Sequence, residues 1–124
     1  SQNFVKTWQH CYGGSDDERV SSIIPYNNGY LFFGYTESAD GDISYNPNPE
    51  TRTAWLVNID NKGNIIFDTC YNEGYNYTYG RKIFYNDSIF YLIGTAGPNN
   101  QGGIQGYWLA QIDSNFNLTW QDVL

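Results

Sequence analysis

One pattern occurs twice in this chain, and it limits the possible folds more than any other feature. "AWLVNIDNKGNIIF" at 54–67 matches "YWLAQIDSNFNLTW" at 107–120, so that Trp55 and Trp108 lie 53 positions apart. Upstream, "YLFFGYT" at 30–36 aligns with "FYLIGTA" at 90–96 at a spacing of 60, so one loop is seven residues shorter in the second copy. Similarity at such a period indicates stacked supersecondary units, each unable to bury its apolar faces alone.

Each copy of the pattern predicts four strands. In the first copy they span 20–26, 30–36, 54–60 and 64–71, and in the second 81–86, 89–95, 107–113 and 117–123. Asn- and Gly-rich segments at 27–29, 61–64 and 86–88 predict the hairpin turns between them. Strand interiors such as 30–33 are apolar on both faces, as expected for a sheet between two neighbours. The sequence therefore predicts an all-β fold of two tandem four-stranded antiparallel β-propeller-like blades.

The two ends of the chain resemble each other. "VKTWQHCY" at 5–12, "NIIFDTCY" at 64–71 and "NLTWQDVL" at 117–124 are three copies of one closing strand. We therefore expect a single domain over 1–124: an extra N-terminal strand at 1–12 that closes a preceding unit, then repeats at 13–71 and 72–124. Propellers close with about four to eight blades. Three explanations stay open: a piece of a longer propeller, several chains completing a ring, or a leading strand that covers an open edge.

Composition excludes several classes of partner. A chain of 124 residues and 14.2 kDa has room for one core. Its net charge of -7 repels a phosphate backbone, so we expect no nucleic acid partner. No apolar run approaches the roughly 20 residues that span a bilayer, and no signal-peptide pattern opens the chain. We expect a soluble chain without a membrane span.

"WQHCYGGSDDERVSSIIPYNNGYLFFGYTESADGDIS", followed by "AWLVNIDNKGNIIF", resembles a repeat of secreted and surface proteins of Bacteroidetes. That pattern reads approximately W-x-K-x-[YF]-G-G-S-x-x-D, then a D-G-G-Y turn, G-x-T-x-S-x-D-G-D and D-x-W-[LV]-x-K-[LI]-D-x-x-G-N. The second copy departs from it, because "YNEGYNYTYG" lacks the G-G-S-x-x-D and "AGPNNQGGIQG" lacks the D-G-D. The resemblance implies propeller-like blades in large, often lipoprotein-like proteins. It also implies an extracellular, cell-surface or periplasmic location.

Few residues could support catalysis. His10 is the sole histidine, which excludes a His-rich metal site and a His-dependent triad. Its neighbour Cys11 would point to the opposite face of a strand, so the two side chains do not converge. We expect no catalytic residue, no metal and no cofactor, and a packing role for the four Trp residues.

Two side-chain pairs leave alternatives open. Cys11 and Cys70 hold the same position in successive closing strands, about 10 Å apart at sheet-packing distance, which predicts two free, buried thiols. A disulfide becomes the alternative if the leading strand folds back along another edge. Asp40 and Asp42 flank a Gly in a fragment of calcium-ligand spacing, but a full site needs about six to eight oxygens. A solvated Asp-Gly turn is the favoured interpretation, and calcium is the alternative.

The longest loops, 36–53 and 96–106, are where the two copies differ most, as expected if loops set specificity. Their polar and aromatic side chains are the predicted ligand contacts: Asp40, Asp42, Tyr45, Asn46, Asn99, Asn100 and Gln101. We expect a non-catalytic binding or scaffolding module that recognises a glycan or a protein at the cell envelope, and that could complete a ring as a homo-oligomer. The alternatives are solvated turns, and a glycoside hydrolase, or a fragment of one, that uses paired carboxylates.

Overall fold

A computed structural model describes residues 3–98 and 105–124, and over this part of the chain all regular secondary structure is β-strand. The strands are β1 (Glu18–Tyr26), β2 (Gly29–Thr36), β3 (Thr53–Ile59), β4 (Ile65–Tyr71), β5 (Tyr75–Asn86), β6 (Ile89–Pro98), β7 (Gly106–Ile112) and β8 (Leu118–Val123). They form two four-stranded antiparallel sheets in the orders β1-β2-β3-β4 and β5-β6-β7-β8. The predicted all-β class and the two sheets are confirmed. None of the described residues belongs to a helix long and apolar enough to cross a membrane.

Strand β5 begins earlier than predicted, at Tyr75 rather than at residue 81. The added residues pair with β6, and they also connect the two sheets through Thr78. The Thr78 backbone N–H donates to the Arg52 carbonyl at 2.9 Å, while its hydroxyl oxygen accepts from the Ala54 backbone N–H at 2.9 Å. These contacts join distant parts of the chain, so the local pattern did not indicate the longer strand.

The β1–β2 and β5–β6 hairpins have the same turn geometry. Asn27 and Asn28 have φ of 43° and 60°, and Asp87 and Ser88 have φ of 49° and 67°. Two successive positive φ values define the turn whose twist matches that of the flanking strands, and Asn and Asp tolerate this conformation best.

The β3–β4 and β7–β8 turns also match each other. Asp60 Oδ1 accepts backbone hydrogen bonds from the second and fourth residues after it, at 2.8 and 2.9 Å, and Asp113 does the same at 2.9 and 2.9 Å. The third residue has a positive φ in both turns, 84° at Gly63 and 66° at Phe116. These hydrogen bonds, chiefly from the backbone N–H of the fourth residue, lower the pKa of both aspartates.

Trp55 and Trp108 occupy matching places in the two sheets. Trp55 Nε1 donates to Asp68 Oδ2 at 3.0 Å, and Trp108 Nε1 donates to Gln121 Oε1 at 3.0 Å, in both cases across to the closing strand. Both rings are fully buried, whereas Trp8 and Trp120 remain 37% and 47% exposed. The predicted packing role therefore applies fully to the first pair only.

The main core lies between the sheets. One face of the first sheet packs against one face of the second, and the rings of Phe33 and Trp108 lie 6.5 Å apart. The fully buried side chains of this core include Leu31, Phe33, Leu56, Phe90, Leu92, Trp108 and Ile112. Burial of one such side chain contributes about 1.5–3 kcal/mol, so this contact stabilises both sheets at once.

A second, smaller core covers the opposite face of the first sheet, which we call its outer face. Phe32, Trp55 and Val57 are buried there. Their cover comes from Ile43 of the β2–β3 loop and from Tyr12, whose ring lies 5.2 Å from that of Phe32.

The predicted extra N-terminal strand does not form, because residues 3–14 join neither sheet. They cross the outer face of the first sheet and are held there by side chains. Trp8 Nε1 donates to the Asn61 carbonyl at 2.9 Å, and Tyr12 Oη donates to the Gly63 carbonyl at 2.6 Å. A strand needs a neighbouring strand to accept its backbone hydrogen bonds, and the described residues place none beside this segment.

Replacing Leu92 with Ala should lower the free energy of unfolding by about 2–5 kcal/mol, because it opens a cavity where the two sheets meet. The same truncation at Ile66, which is 60% exposed, should change it by less than about 0.5 kcal/mol. Urea unfolding followed by tryptophan fluorescence measures both. Equal losses for the two variants would show that the sheets do not share this core.

Candidate functional site

The β2–β3 loop, residues 37–52, lies at the end of the first sheet opposite the hairpin turns; we call it the rim loop. It packs against the segment that enters β1. The Glu37 backbone N–H donates to the Asp17 carbonyl at 2.9 Å, and the Asp42 backbone N–H donates to the Gly13 carbonyl at 3.0 Å. The rim loop is therefore fixed to residues 13–17 over its first half.

The carboxylates of Asp40 and Asp42 hold the contact between the rim loop and residues 13–17, which we call the junction. Asp42 Oδ2 accepts a hydrogen bond from the Gly13 backbone N–H at 2.9 Å, and Asp40 Oδ1 accepts one from Ser15 at 2.8 Å. Ser38 Oγ also accepts from the Asp16 backbone N–H at 2.9 Å. The hydrogen bond from the Ser15 backbone lowers the pKa of Asp40.

The glycines of the junction are required by its close backbone approach. A Cβ at Gly14 would lie 2.5 Å from Asp40 Oδ1, and one at Gly41 would lie 2.3 Å from the Gly13 carbonyl oxygen. Gly41 also has a φ of 66°. The "GGS" and "DGD" segments thus form one interlocking unit, which explains why both are missing together from the second copy.

Of the predicted ligand contacts on the rim loop, Tyr45 is exposed at 72%, Asp40 is also exposed, and Asp42 is half-buried. Asn46 is 6% exposed; its Nδ2 donates to the Ser38 carbonyl at 2.8 Å and its Oδ1 accepts from the Asn48 backbone N–H at 2.9 Å. The structure therefore brings the rim-loop residues together, but it buries Asn46, and one oxygen of each carboxylate accepts a hydrogen bond from the backbone of residues 13–15. Asn99, Asn100 and Gln101 lie outside the described residues.

Sequence reasoning did not find Arg52, which fastens the rim loop to the second sheet. Its Nε lies 2.6 Å from Glu37 Oε1, and its Nη1 donates to the Tyr79 hydroxyl. The guanidinium also lies over the rings of Tyr35 and Tyr79, at 5.1 and 5.0 Å from their centroids. The hydrogen bond to Glu37 raises the pKa of Arg52 above its ordinary value. No local spacing indicated this cluster, because its members come from the two ends of the rim loop, from β2 and from β5.

A groove of about 900 Å³ opens at the other end of the first sheet, between residues 5–8 and the β1–β2 hairpin. Three aromatic residues line it: Tyr26, Trp8 at 37% exposure and Tyr30 at 40%. Asn27, Asn28 and Asn61 add amide groups. The groove exists because residues 3–14 cover only part of the outer face, so the sequence pattern did not predict it.

Within residues 3–98 and 105–124, no group of three or more His, Cys, Asp and Glu side chains could hold a metal ion. Cys11 and Cys70 are both free thiols. Cys11 is exposed rather than buried, because the segment that carries it joins no sheet. Burial, and secondarily the carboxylate of Asp68, raise the pKa of the Cys70 thiol to about 12.

Comparison with known proteins adds no family to this description: no protein-family model and no curated protein sequence matches the chain.

Replacing Asp40 with Asn should destabilise the protein near neutral pH but much less in acid. The folded-state pKa of Asp40 lies below its unfolded value, so its contribution is present above about pH 4 and is lost as the pH falls through the folded pKa. Urea unfolding between neutral and strongly acidic pH measures the difference from the unchanged protein. Asp16→Asn changes the same charge in the adjoining segment and is the control; an Asp40→Asn deficit that does not vary with pH would contradict the assigned role.

Iodoacetamide at mildly alkaline pH should modify Cys11 quickly and Cys70 only after unfolding, because the reactive thiolate is suppressed at Cys70. Mass spectrometry of tryptic peptides over time measures the two rates. Similar rates in the folded protein would show that the outer face of the first sheet is open to solvent at Cys70.

Proposed function

We propose that this chain is a non-catalytic binding or scaffolding module of β-propeller type. Its two blades hold rim loops that contact a glycan or a protein outside the cell. The exposed ring of Tyr45 on an anchored loop is the observation that carries the proposal. The blade arrangement, the location and the choice of binding over catalysis rest on separate observations.

A pair of matching hydrogen bonds supports the blade arrangement. Tyr71, at the end of β4, donates from its hydroxyl to the Phe116 carbonyl in the last turn of the second sheet, at 2.7 Å. Tyr12 donates to the Gly63 carbonyl, in the same turn of the first sheet, at 2.6 Å. Residues 3–14 thus lie against the first sheet as β4 lies against the second. Successive propeller blades stack in one direction in this way.

The rim loop is suited to binding because it is ordered before any ligand arrives. Asp40 and Asp42 each accept a hydrogen bond from the backbone of residues 13–15, while Tyr45 offers an apolar ring and a hydroxyl at 72% exposure. A tyrosine of this kind packs on a sugar ring or an apolar protein group and hydrogen-bonds at its tip. A loop that is already fixed loses little conformational entropy on binding.

The state of the carboxylates favours binding over glycoside hydrolysis. A general acid in a glycosidase needs a raised pKa, so that it carries a proton at working pH. Asp40 has a lowered pKa, because it accepts a hydrogen bond from the Ser15 backbone. The carboxylate of Asp42 is likewise bonded to a backbone N–H.

The resemblance to repeats of secreted and surface Bacteroidetes proteins supports an extracellular, cell-surface or periplasmic location. Glycans and envelope proteins are the polar partners available there. The net charge of -7 further favours partners other than nucleic acid.

Replacing Tyr45 with Ala should weaken binding about tenfold or more, because a central aromatic contact commonly contributes at least about 1.4 kcal/mol. The first probe is a panel of soluble oligosaccharides and polysaccharides, and the second is a detergent extract of bacterial envelope. Chemical-shift mapping identifies a hit, and titration calorimetry measures its affinity for both proteins.

Tyr85→Ala is the matched control, since Tyr85 is 55% exposed and lies beside the β5–β6 turn, at the opposite end of the molecule. It should leave affinity unchanged. A confirmed ligand whose binding ignores Tyr45, or whose shifts map to the strands, would refute the proposed role of the rim loop.

A further inference from the structure

The two sheets differ in exposure at matching positions on one face. In the second sheet, Ile83 and Phe90 are each 1% exposed, because the first sheet covers them. The corresponding residues of the first sheet, 60 positions earlier, are Ile23 and Tyr30, which are 59% and 40% exposed. The outer face of the first sheet is therefore the same surface without its cover, along β1 and the start of β2.

The opposite faces show the reverse difference. Leu31 and Phe33 of the first sheet are 0% exposed beneath the second sheet, whereas their counterparts in β6, Tyr91 and Ile93, are partly exposed. Ala54 is 0% exposed, but Tyr107, 53 positions later, is 72% exposed. The first sheet packs against the second sheet with this face, and the equivalent face of the second sheet is partly exposed.

Each molecule consequently leaves part of both halves of its own inter-sheet interface exposed, on opposite sides; on the first sheet the exposed part is β1 and the start of β2, because Tyr12 and Ile43 cover Phe32 and Trp55. The two halves are different surfaces, and the internal contact shows that such surfaces fit each other. Contacts between unlike surfaces are head-to-tail, so each added molecule presents the same open surface again. A symmetric dimer would instead require each surface to fit itself.

We propose that the partner of these faces is a second molecule of this chain, which docks the open face of its second sheet onto the outer face of the first. The groove of about 900 Å³ beside Trp8 and Tyr30 lies within this contact. The inference rests on the blade arrangement proposed above and is independent of the ligand of the rim loop.

Residues 3–14 restrain this association. Tyr12 contacts the first sheet at the position where Tyr71, at the end of the closing strand β4, contacts the second sheet. In the proposed assembly, the closing strand β8 of the incoming molecule would occupy the position of Tyr12. The segment must therefore move aside before docking is complete. Its anchor is the hydrogen bond from Trp8 to Asn61, together with the packing of the Trp8 ring on Gly63. Loosening this anchor favours association.

The test uses sedimentation velocity on the full chain, without ligand, over a wide range of concentrations. The unchanged protein should show concentration-dependent growth of its sedimentation coefficient. Ile23→Asp places a charge on the first-sheet surface, and Tyr107→Asp places one on the second-sheet surface. Each variant alone should associate at least about tenfold more weakly, since the contact would have to bury an unpaired charge.

Mixing the two variants separates head-to-tail docking from a symmetric dimer. Ile23→Asp retains an intact second-sheet surface, and Tyr107→Asp retains an intact first-sheet surface. An equimolar mixture should therefore form dimers at the affinity of the unchanged protein, and these dimers should not grow further. Failure of the mixture to recover association would overturn the proposal.

Two further variants serve as controls. Ile66 is 60% exposed. Its counterpart in the second sheet, Thr119, is exposed even though the first sheet packs on that sheet, so this position lies outside the contact. Ile66→Asp should therefore not alter association. Trp8→Ala should strengthen association.

Circular dichroism and urea unfolding establish that each variant is folded. A monomer at every concentration, for the unchanged protein and for Trp8→Ala, would overturn the inference; Tyr45-dependent ligand binding would still be measurable, so the two proposals fail separately.

Discussion

The apolar contact between the two sheets is the interaction on which the other features of this molecule depend. Each sheet is only four strands wide and has apolar side chains on both faces, so neither can bury its own core. The rings of Phe33 and Trp108 lie 6.5 Å apart across the contact. At its edge, Arg52 and Tyr79 connect the rim loop of the first sheet to β5 of the second. The packing of the sheets therefore helps to hold the second half of the rim loop, where Arg52 lies.

A polar junction replaces apolar packing at the rim. The carboxylates of Asp40 and Asp42 take the backbone N–H groups of residues 13–15 as partners, and Gly14 and Gly41 let the two segments approach. Each hydrogen bond satisfies a backbone donor that would otherwise depend on water. The rim loop is long enough that mobility would be expected, yet these bonds give it a defined conformation. Tyr45 is exposed on the loop in that conformation.

Both faces of each sheet carry apolar side chains, so the packing of the two sheets buries only one face of each. A stack of like units buries every face except the first and the last. Here residues 3–14 cover part of the first face with Tyr12 and Trp8, and the described residues place nothing over the face that carries Tyr91 and Tyr107. The proposed scaffolding role and the proposed self-association would both depend on one property, the apolar character of both sides of each sheet.

The sequence by itself determined the strands, the turns and their pairing, because these depend on neighbours along the chain. The repeated pattern and the Asn- and Gly-rich segments predicted all eight strands, and the structure shows matching turns after Asp60 and Asp113. Contacts between distant segments could not be predicted in this way. The early start of β5 depends on Thr78 meeting Ala54 across the sheets.

Tertiary structure alone decided what the predicted site residues do. Asp40, Asp42 and Asn46 matched a ligand-binding composition, but the position of residues 13–17 and the course of the rim loop gave each of them a hydrogen-bond partner within the protein. Residues 5–12 have a strand-like sequence, yet they form no strand, because strand pairing requires a partner backbone that local sequence does not supply. A sequence pattern states which groups are available to bond; the packed fold determines which partner each one reaches.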